Sequence, residues 1–155
     1  MTASPEDWKI LPFEAMAPIP YHATFSTAQF EKLSQGLIPE VMEDKWFVYL
    51  DGADLCFHRS WTGEAVYKLS LSPSSKGYVV EQALCSARVL ELHGGDYQSE
   101  LVDFLIHNLL LGGDKPFPRP AGVKEKAPGV FQHSVSGTGY REKITASKSW
   151  WKFWP

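Results

Sequence analysis

One short run, FHRSWTG at residues 57–63, carries several side chains that can bind anions or move protons. An imidazole, a guanidinium, a hydroxyl and an indole follow one another at His58, Arg59, Ser60 and Trp61. Arginine stacked on tryptophan suits a phosphate or a nucleobase. A histidine close to a serine is typical of nucleophilic catalysis in which the serine attacks and the histidine acts as the base. This run is therefore the first candidate for a chemical site.

Strand geometry separates these side chains. Consecutive strand residues point to opposite faces, so Arg59 and Trp61 share one face, while His58 and Ser60 share the other. Two residues that are two apart on a strand lie about 7 Å apart, too far for a direct hydrogen bond. The sequence also has no G-x-S-x-G elbow. Serine-type catalysis is therefore not favoured, and His58 is expected to be hydrogen-bonded and partly exposed.

Arg59 has two interpretations. An unpaired buried charge is very costly, so a guanidinium on an otherwise apolar face needs acceptors. In the structural interpretation, Arg59 anchors main-chain carbonyls or a carboxylate, for which the sequence offers Glu43, Asp44 and Glu64. In the functional interpretation, Arg59 holds a bound anion.

The stretch MEDKWF, residues 42–47, brings a second charged group toward this run. If the strands that contain residues 45–50 and 54–61 form an antiparallel hairpin, the start of the first lies beside the end of the second. Lys45 would then lie close to Arg59 and to the turn at Thr62. The predicted ligand-binding residues are therefore Lys45, His58, Arg59, Trp61 and Thr62.

No spacing typical of a metal site occurs. The five histidines are scattered, and C-x-x-C, H-x-x-x-H and H-E-x-x-H are all absent. The glycine-punctuated residues 135–143 match no phosphate-binding glycine motif, and they indicate a loop or a hairpin turn. The sequence therefore predicts no metal and no cofactor.

Composition is typical of one globular domain. The chain has 155 residues, of which 44% are hydrophobic, and a formal net charge of -3, so no overall basic field draws it to nucleic acid. Cys56 and Cys85 are expected to be buried thiols rather than a disulfide. With no signal peptide and no apolar run of about 18 residues, the sequence predicts a cytoplasmic protein outside the membrane.

The fold class predicted from these patterns is α+β, a four-stranded antiparallel β-meander packed by two helices. Repeated prolines in residues 1–24 indicate an extended arm without regular structure. Residues 25–113 form the core domain, with one helix at 25–36, strands between 45 and 90, and a second helix at 97–111. Residues 114–155 are a Pro/Gly-rich segment and an aromatic tail that packs on the core.

The tail SWWKFWP carries an unusual concentration of aromatic rings. Its large apolar side chains form a predicted interaction surface at Trp150, Trp151, Phe153 and Trp154. Such a segment can stack bases, enter a membrane interface or dock on a protein, or it can fold back over the domain. Docking or folding back is favoured, because exposed aromatic surface of this size promotes aggregation.

Residues 42–69 resemble a small group of bacterial proteins. The group shares a K-W-F-x-Y strand followed by F-H-R-S-W-T-G, and the preceding G-x-I-P-x-x-M also occurs here at residues 36–42. The resemblance brings no established activity. Some members carry labels that mention a DNA-glycosylase fusion, but this chain has no helix-hairpin-helix with a lysine and an aspartate, so that chemistry is not carried over.

Two functions remain open. The first is a non-catalytic binding or protein-interaction module, such as a small regulatory or immunity-type protein, whose partner is a protein or a second copy rather than nucleic acid. The second is an enzyme or sensor for a nucleotide-like or phosphorylated small ligand at the sheet edge of Lys45, Arg59 and Trp61. A deep pocket at Arg59 without a carboxylate would favour the second, and an Arg59 ion pair the first.

Overall fold

The computed structural model describes residues 2–120, 130–137 and 142–145. The strands of the main sheet are β1 (Met16–Pro18), β2 (Thr24–Phe25), β3 (Trp46–Asp51), β4 (Asp54–Arg59), β5 (Ala65–Ser74) and β6 (Gly77–Ser86). The helices are α1 (Thr27–Gln35), α2 (Ala87–Leu92), α3 (Gly95–Phe104), which continues as a π-helical segment (Leu105–Leu110), and α4 (Val130–Ser136). A separate parallel pair is formed by β7 (Phe117–Pro120) and β8 (Glu142–Thr145).

The chain is an α+β protein whose main sheet is antiparallel, as predicted, but the sheet has six strands rather than four. The meander β3-β4-β5-β6 is extended at its outer edge by β1 and β2, which pair with opposite ends of β6. The prediction that the proline-rich arm has no regular element is therefore wrong. Pro18 fits there because an outer strand does not need every backbone N–H for pairing.

Helix α1 and its ends follow the sequence pattern closely. Ser26 accepts a hydrogen bond from the backbone N–H of Gln29, whose side chain in turn accepts from the backbone N–H of Ser26. Gly36, with φ of 70°, ends the helix, and a side chain there would meet the carbonyl oxygen of Val48. The predicted helix and its termination are confirmed.

The region after Ser86 differs from prediction. The fourth meander strand was expected to continue to residue 90, but it ends at Ser86 and α2 follows. Residues 87–92, ARVLEL, consist mostly of good helix formers, which explains the change. The next helix begins at Gly95 rather than at residue 97, with Gly94 as its N-cap and Asp96 in its first turn. With α4, the described residues form four helices instead of two.

The sheet separates two apolar cores, which define its helical face and its arm face. On the helical face, side chains such as Phe57, Tyr67 and Leu69 pack with residues of α1, α3 and the π-helical segment. On the arm face, Phe47, Tyr49 and Cys56 form a smaller core that is covered by residues 3–13 of the arm and by Ile38. The N-terminal residues are therefore one of the two covers of the sheet.

Two further expectations can be compared directly with the described residues. Cys56 and Cys85 are both buried free thiols, as expected. Burial raises the pKa of Cys56 to about 11 and that of Cys85 to about 12, so both thiols stay protonated at neutral pH. Within residues 2–120, 130–137 and 142–145, no helix has the length and apolar character that crossing a membrane requires.

Candidate functional site

The β3–β4 hairpin brings the two predicted halves of the site together. Trp46 lies opposite Arg59 in the pairing register, and the backbone N–H of Ser60 donates to the carbonyl of Lys45 at 2.9 Å. Lys45 therefore lies beside the end of β4. The antiparallel register, set by the Gly52 turn, explains this adjacency.

Arg59 lies on the helical face and binds main-chain carbonyls. Its guanidinium donates to the carbonyl of Val135, and to that of Ser134 at 3.0 Å. The same Val135 carbonyl accepts from the indole N–H of Trp46 at 2.9 Å, and the guanidinium carbon lies 4.8 Å from the centre of that indole ring. Burial lowers the pKa of Arg59. Arg59 thus attaches the last turn of α4 to the sheet.

The carboxylates that sequence analysis offered to Arg59 bind elsewhere. Glu64 accepts two hydrogen bonds from Arg88 in a bidentate ion pair, with N···O distances of 2.6 and 2.5 Å. Asp44 accepts from the backbone N–H groups of Glu40 and Val41 at 2.9 and 3.2 Å, which closes the loop before β3. Of the two structural partners considered for Arg59, the carbonyls are the ones observed.

His58 lies on the arm face and is fully buried, so the expectation of a partly exposed side chain is wrong. Its Nδ1 lies 3.0 Å from the carbonyl oxygen of Gly63, which can only accept, so Nδ1 carries the proton. Nε2 then accepts from the Tyr49 hydroxyl at 3.0 Å. Burial lowers the pKa of His58, which keeps the ring neutral, and Phe13 of the arm covers it with a ring-centre distance of 5.0 Å.

The turn after β4 fastens the arm and the neighbouring loop. The carbonyl of Ser60 accepts from the indole N–H of Trp8 at 2.8 Å, and the Ser60 hydroxyl donates to the carbonyl of Asp44 at 2.6 Å. The carbonyl of Gly63 accepts from the backbone N–H of Leu11 at 2.9 Å. The serine hydroxyl is thus part of a structural contact between this turn and the loop before β3.

Trp61 lies beyond the end of β4, so the prediction that it shares a face with Arg59 by strand alternation does not apply. Strand β4 ends at Arg59, so the alternation of faces stops before Trp61. The indole is 64% exposed, donates to the carbonyl of Met42 at 2.9 Å, and has the ammonium of Lys45 3.9 Å from its ring centre. Thr62 turns its hydroxyl toward the chain, where it accepts from the backbone N–H of Glu64 at 3.2 Å.

These contacts leave an exposed apolar area that sequence analysis did not identify. Among the described residues, the exposed large apolar side chains are Leu11, Val41, Met42, Trp61 and Leu92. Val41, Met42 and Trp61, at 59%, 72% and 64% exposure, lie together through the Trp61–Met42 hydrogen bond, and we call them the Trp61 surface. The sequence signal for this surface was the pair of consecutive apolar residues, Val41 and Met42, in the loop between Glu40 and Glu43.

A cavity of about 230 Å³ lies beside Arg59 on the helical face, and Arg59 is part of its lining. Trp46, Tyr67, Tyr97 and Gln98 line it together with Arg59. The rings of Trp46 and Tyr67 stack with centres 5.7 Å apart. The hydroxyl of Tyr67 donates to the side-chain carbonyl of Gln98, which is 1% exposed. The cavity therefore has aromatic walls and a few fixed polar groups.

The predicted interaction surface of the tail and possible metal ligands remain to be placed. The tail residues Trp150, Trp151, Phe153 and Trp154 are outside the described residues. In the part of the chain that the structure describes, no three His, Cys, Asp or Glu side chains come together as metal ligands would.

Comparisons with known proteins give no further assignment. A scan against family models, a search of the curated proteins and a search of the solved structures each return no match. Function is therefore inferred from the geometry of this chain.

Proposed function

We propose that this chain is a non-catalytic interaction module that binds a partner protein through the Trp61 surface. The observation that carries the proposal is the exposure of Val41, Met42 and Trp61, which are adjacent. Tryptophan and methionine are enriched in the contact areas of protein interfaces. The indole is also fixed by Met42 and Lys45, so little conformational freedom is lost when a partner covers it.

The neighbouring side chains support contact rather than catalysis. His58 is buried and neutral, and Arg59 binds the carbonyls of α4. A ligand bound jointly by Lys45, Arg59 and Trp61 has less support, because Arg59 binds Ser134 and Val135 on the helical face while the ammonium of Lys45 lies over the indole of Trp61. The alternative of a phosphorylated ligand at this edge therefore stays a prediction with less support.

The charges around the Trp61 surface define the partner. Glu40 and Glu43 are exposed on either side of Val41 and Met42, while the ammonium of Lys45 already lies on the indole. Complementary potentials favour the correct partner and raise its association rate. The partner we propose is a protein that presents an apolar side chain flanked by lysine or arginine.

The test compares Trp61→Ala with Leu92→Ala, which truncates another exposed large apolar side chain, at the end of α2. Partners of the immobilised full-length chain are isolated and purified, and binding is then measured by calorimetry. The proposal expects Trp61→Ala to weaken binding by at least tenfold, as for a central interface tryptophan, while Leu92→Ala stays within about threefold. Raising the salt concentration slows association.

Three results would overturn this function. The first is equal binding by the two variants. The second is sedimentation that shows a dimer dependent on Trp61, which identifies a second copy as the occupant instead. The third is stabilisation by nucleotides or inorganic phosphate in thermal-shift measurements, because a specific ligand of the folded state raises its melting temperature.

A further inference from the structure

The cavity beside Arg59 has no role in the function proposed for the Trp61 surface, because Val41, Met42 and Trp61 do not line it. It lies between the ends of β3 to β5 and the helices α2 and α3, with Val135 of α4 at its edge. We propose that this cavity binds a small aromatic monocarboxylate, with the ring between the aromatic walls and the carboxylate at Arg59. This inference is independent of the partner proposed for the Trp61 surface.

The size of the cavity limits the ligand to about one ring. Its volume of about 230 Å³ is below the 300–1,000 Å³ of pockets for drug-sized ligands. Apolar protein cavities of roughly 150 Å³ admit benzene. A benzene ring with one polar substituent is therefore of suitable size, and a nucleotide is too large.

The walls favour a flat apolar body. Trp46 and Tyr67 stack with an interplanar angle of 24°, and Tyr97, which is 1% exposed, also lines the cavity. Aromatic pairs add to the stabilisation that area burial alone provides. A ring that slides beside these side chains would extend an aromatic cluster that the protein has already built.

The charges favour a single negative group. The bonds of Arg59 to Ser134 and Val135 use two of the five N–H groups of its guanidinium. Arg88 also lines the cavity, but Glu64, on the same wall, neutralises it at an ion-pair distance of 2.5 Å. With Arg88 and Glu64 neutralising each other, Arg59 supplies one net positive charge, which matches a monoanion better than a phosphate dianion.

The neutral polar groups are already oriented. Gln98 accepts from Tyr67 and donates to the carbonyl of His93 at 3.1 Å, so its amide is held in one orientation. That amide carries a second N–H, which we assign as the neutral donor to the ligand. Burial lowers the pKa of His93 to about 4, so this side chain brings no charge to the cavity at neutral pH. Arg59 therefore selects the charge of the ligand, and Gln98 selects its orientation.

The experiment is calorimetric titration of the full chain with benzoate, its neutral isostere benzamide, and inorganic phosphate. We expect saturable benzoate binding below ~1 mM, benzamide binding at least tenfold weaker, and no binding of phosphate. In nuclear magnetic resonance spectra, benzoate should shift the indole N–H signal of Trp46. The cavity-filling variant Val89→Phe, whose parent residue lines the cavity from α2, should lose benzoate binding.

The matched control is Leu11→Phe, which adds a ring at an exposed position that does not line this cavity. It should bind benzoate like the native chain. Equal affinity for benzoate and benzamide would overturn the role of Arg59, and binding by Val89→Phe equal to that of the native chain would overturn the location. Absence of benzoate binding to the native chain at 10-fold higher concentration would overturn the proposal itself. If Val89→Phe fails to fold, the Trp46 indole signal of the native chain replaces it as the test of location. An unshifted signal at saturating benzoate would then show that benzoate binds elsewhere.

Discussion

The two faces of the sheet have different covers, helices on one and the N-terminal arm on the other, and adjacent residues of β4 fasten part of each cover. On the helical face, Arg59 holds α4 through the carbonyls of Ser134 and Val135. On the arm face, His58 binds the carbonyl of Gly63, which also accepts from the backbone N–H of Leu11 in the arm. One anchor is charged and the other is neutral.

This difference in charge explains where each anchor lies. A permanent charge is costly to bury, so the guanidinium stays partly exposed and donates to carbonyl partners at the end of β4. A neutral imidazole with both nitrogen atoms paired can be buried completely. The arm face is therefore closed around His58, and both candidate binding features, the Trp61 surface and the cavity, lie near Arg59.

The largest expected effect is the loss of the charged anchor. In Arg59→Ala, the carbonyl groups of α4 and the indole of Trp46 lose a shared contact, and we expect the free energy of unfolding to fall by about 3 kcal/mol. Arg88→Ala, which removes an exposed ion pair with Glu64, should cost about 0.5 kcal/mol. Urea denaturation measures both. Similar losses for the two variants would mean that Arg59 does not fasten α4.

A smaller effect is expected on the arm face. His58→Phe conserves a planar ring but removes the buried partner of the Tyr49 hydroxyl and one of the two donors to the Gly63 carbonyl, at a cost of about 2 kcal/mol. Tyr49→Phe, which removes one of those two bonds, serves as the comparison and should cost about half as much. The same denaturation experiment applies. A His58→Phe protein as stable as the native chain would show that apolar packing alone closes this face.

The smallest expected effect concerns pH. Burial lowers the pKa of His93 to about 4 from its ordinary value near 6.5, so the unfolded chain binds a proton that the folded chain does not. The stabilisation is complete above about pH 6.5 and is lost as the pH falls toward 4. Because His93 is partly exposed, we expect a loss of about 1 kcal/mol between pH 7 and pH 5. His58 acts in the same direction, since burial lowers its pKa too.

The variant His93→Gln separates these contributions. Its free energy of unfolding should fall less between pH 7 and pH 5 than that of the native chain, as measured by urea denaturation at each pH. An unchanged slope would assign the pH dependence to His58 and His107, whose pKa values burial also lowers. A stability that rises on acidification would contradict the neutral state of these histidines.

Local sequence signals predicted the elements that depend on nearby residues. The Ser26 cap, Gly36 and the Gly52 turn lie within a few residues of the structure that they define, so α1 and the β3–β4 hairpin could be predicted. The hairpin then implied that Lys45 lies beside the end of β4. Strands β1 and β2 could not be predicted in this way, because their pairing with β6 depends on residues about 50 to 70 positions later.

The partners of the key side chains required the assembled fold. Sequence analysis offered Arg59 nearby carboxylates, but its acceptors come from Ser134 and Val135, which are 75 and 76 residues away. His58 was expected to be partly exposed because its cover, Phe13, lies far earlier in the chain. The Trp61 surface emerged because β4 ends at Arg59, two residues before the tryptophan.

The sequence by itself determined the α+β class, the antiparallel hairpin, and the opposite orientation of His58 and Arg59, since turn residues and strand alternation act over short distances. Only the tertiary structure decided which segments cover those two side chains and which apolar residues stay exposed. Those outcomes depend on contacts that the N-terminal arm and α4 each make with distant residues of the sheet, and no local pattern encodes them.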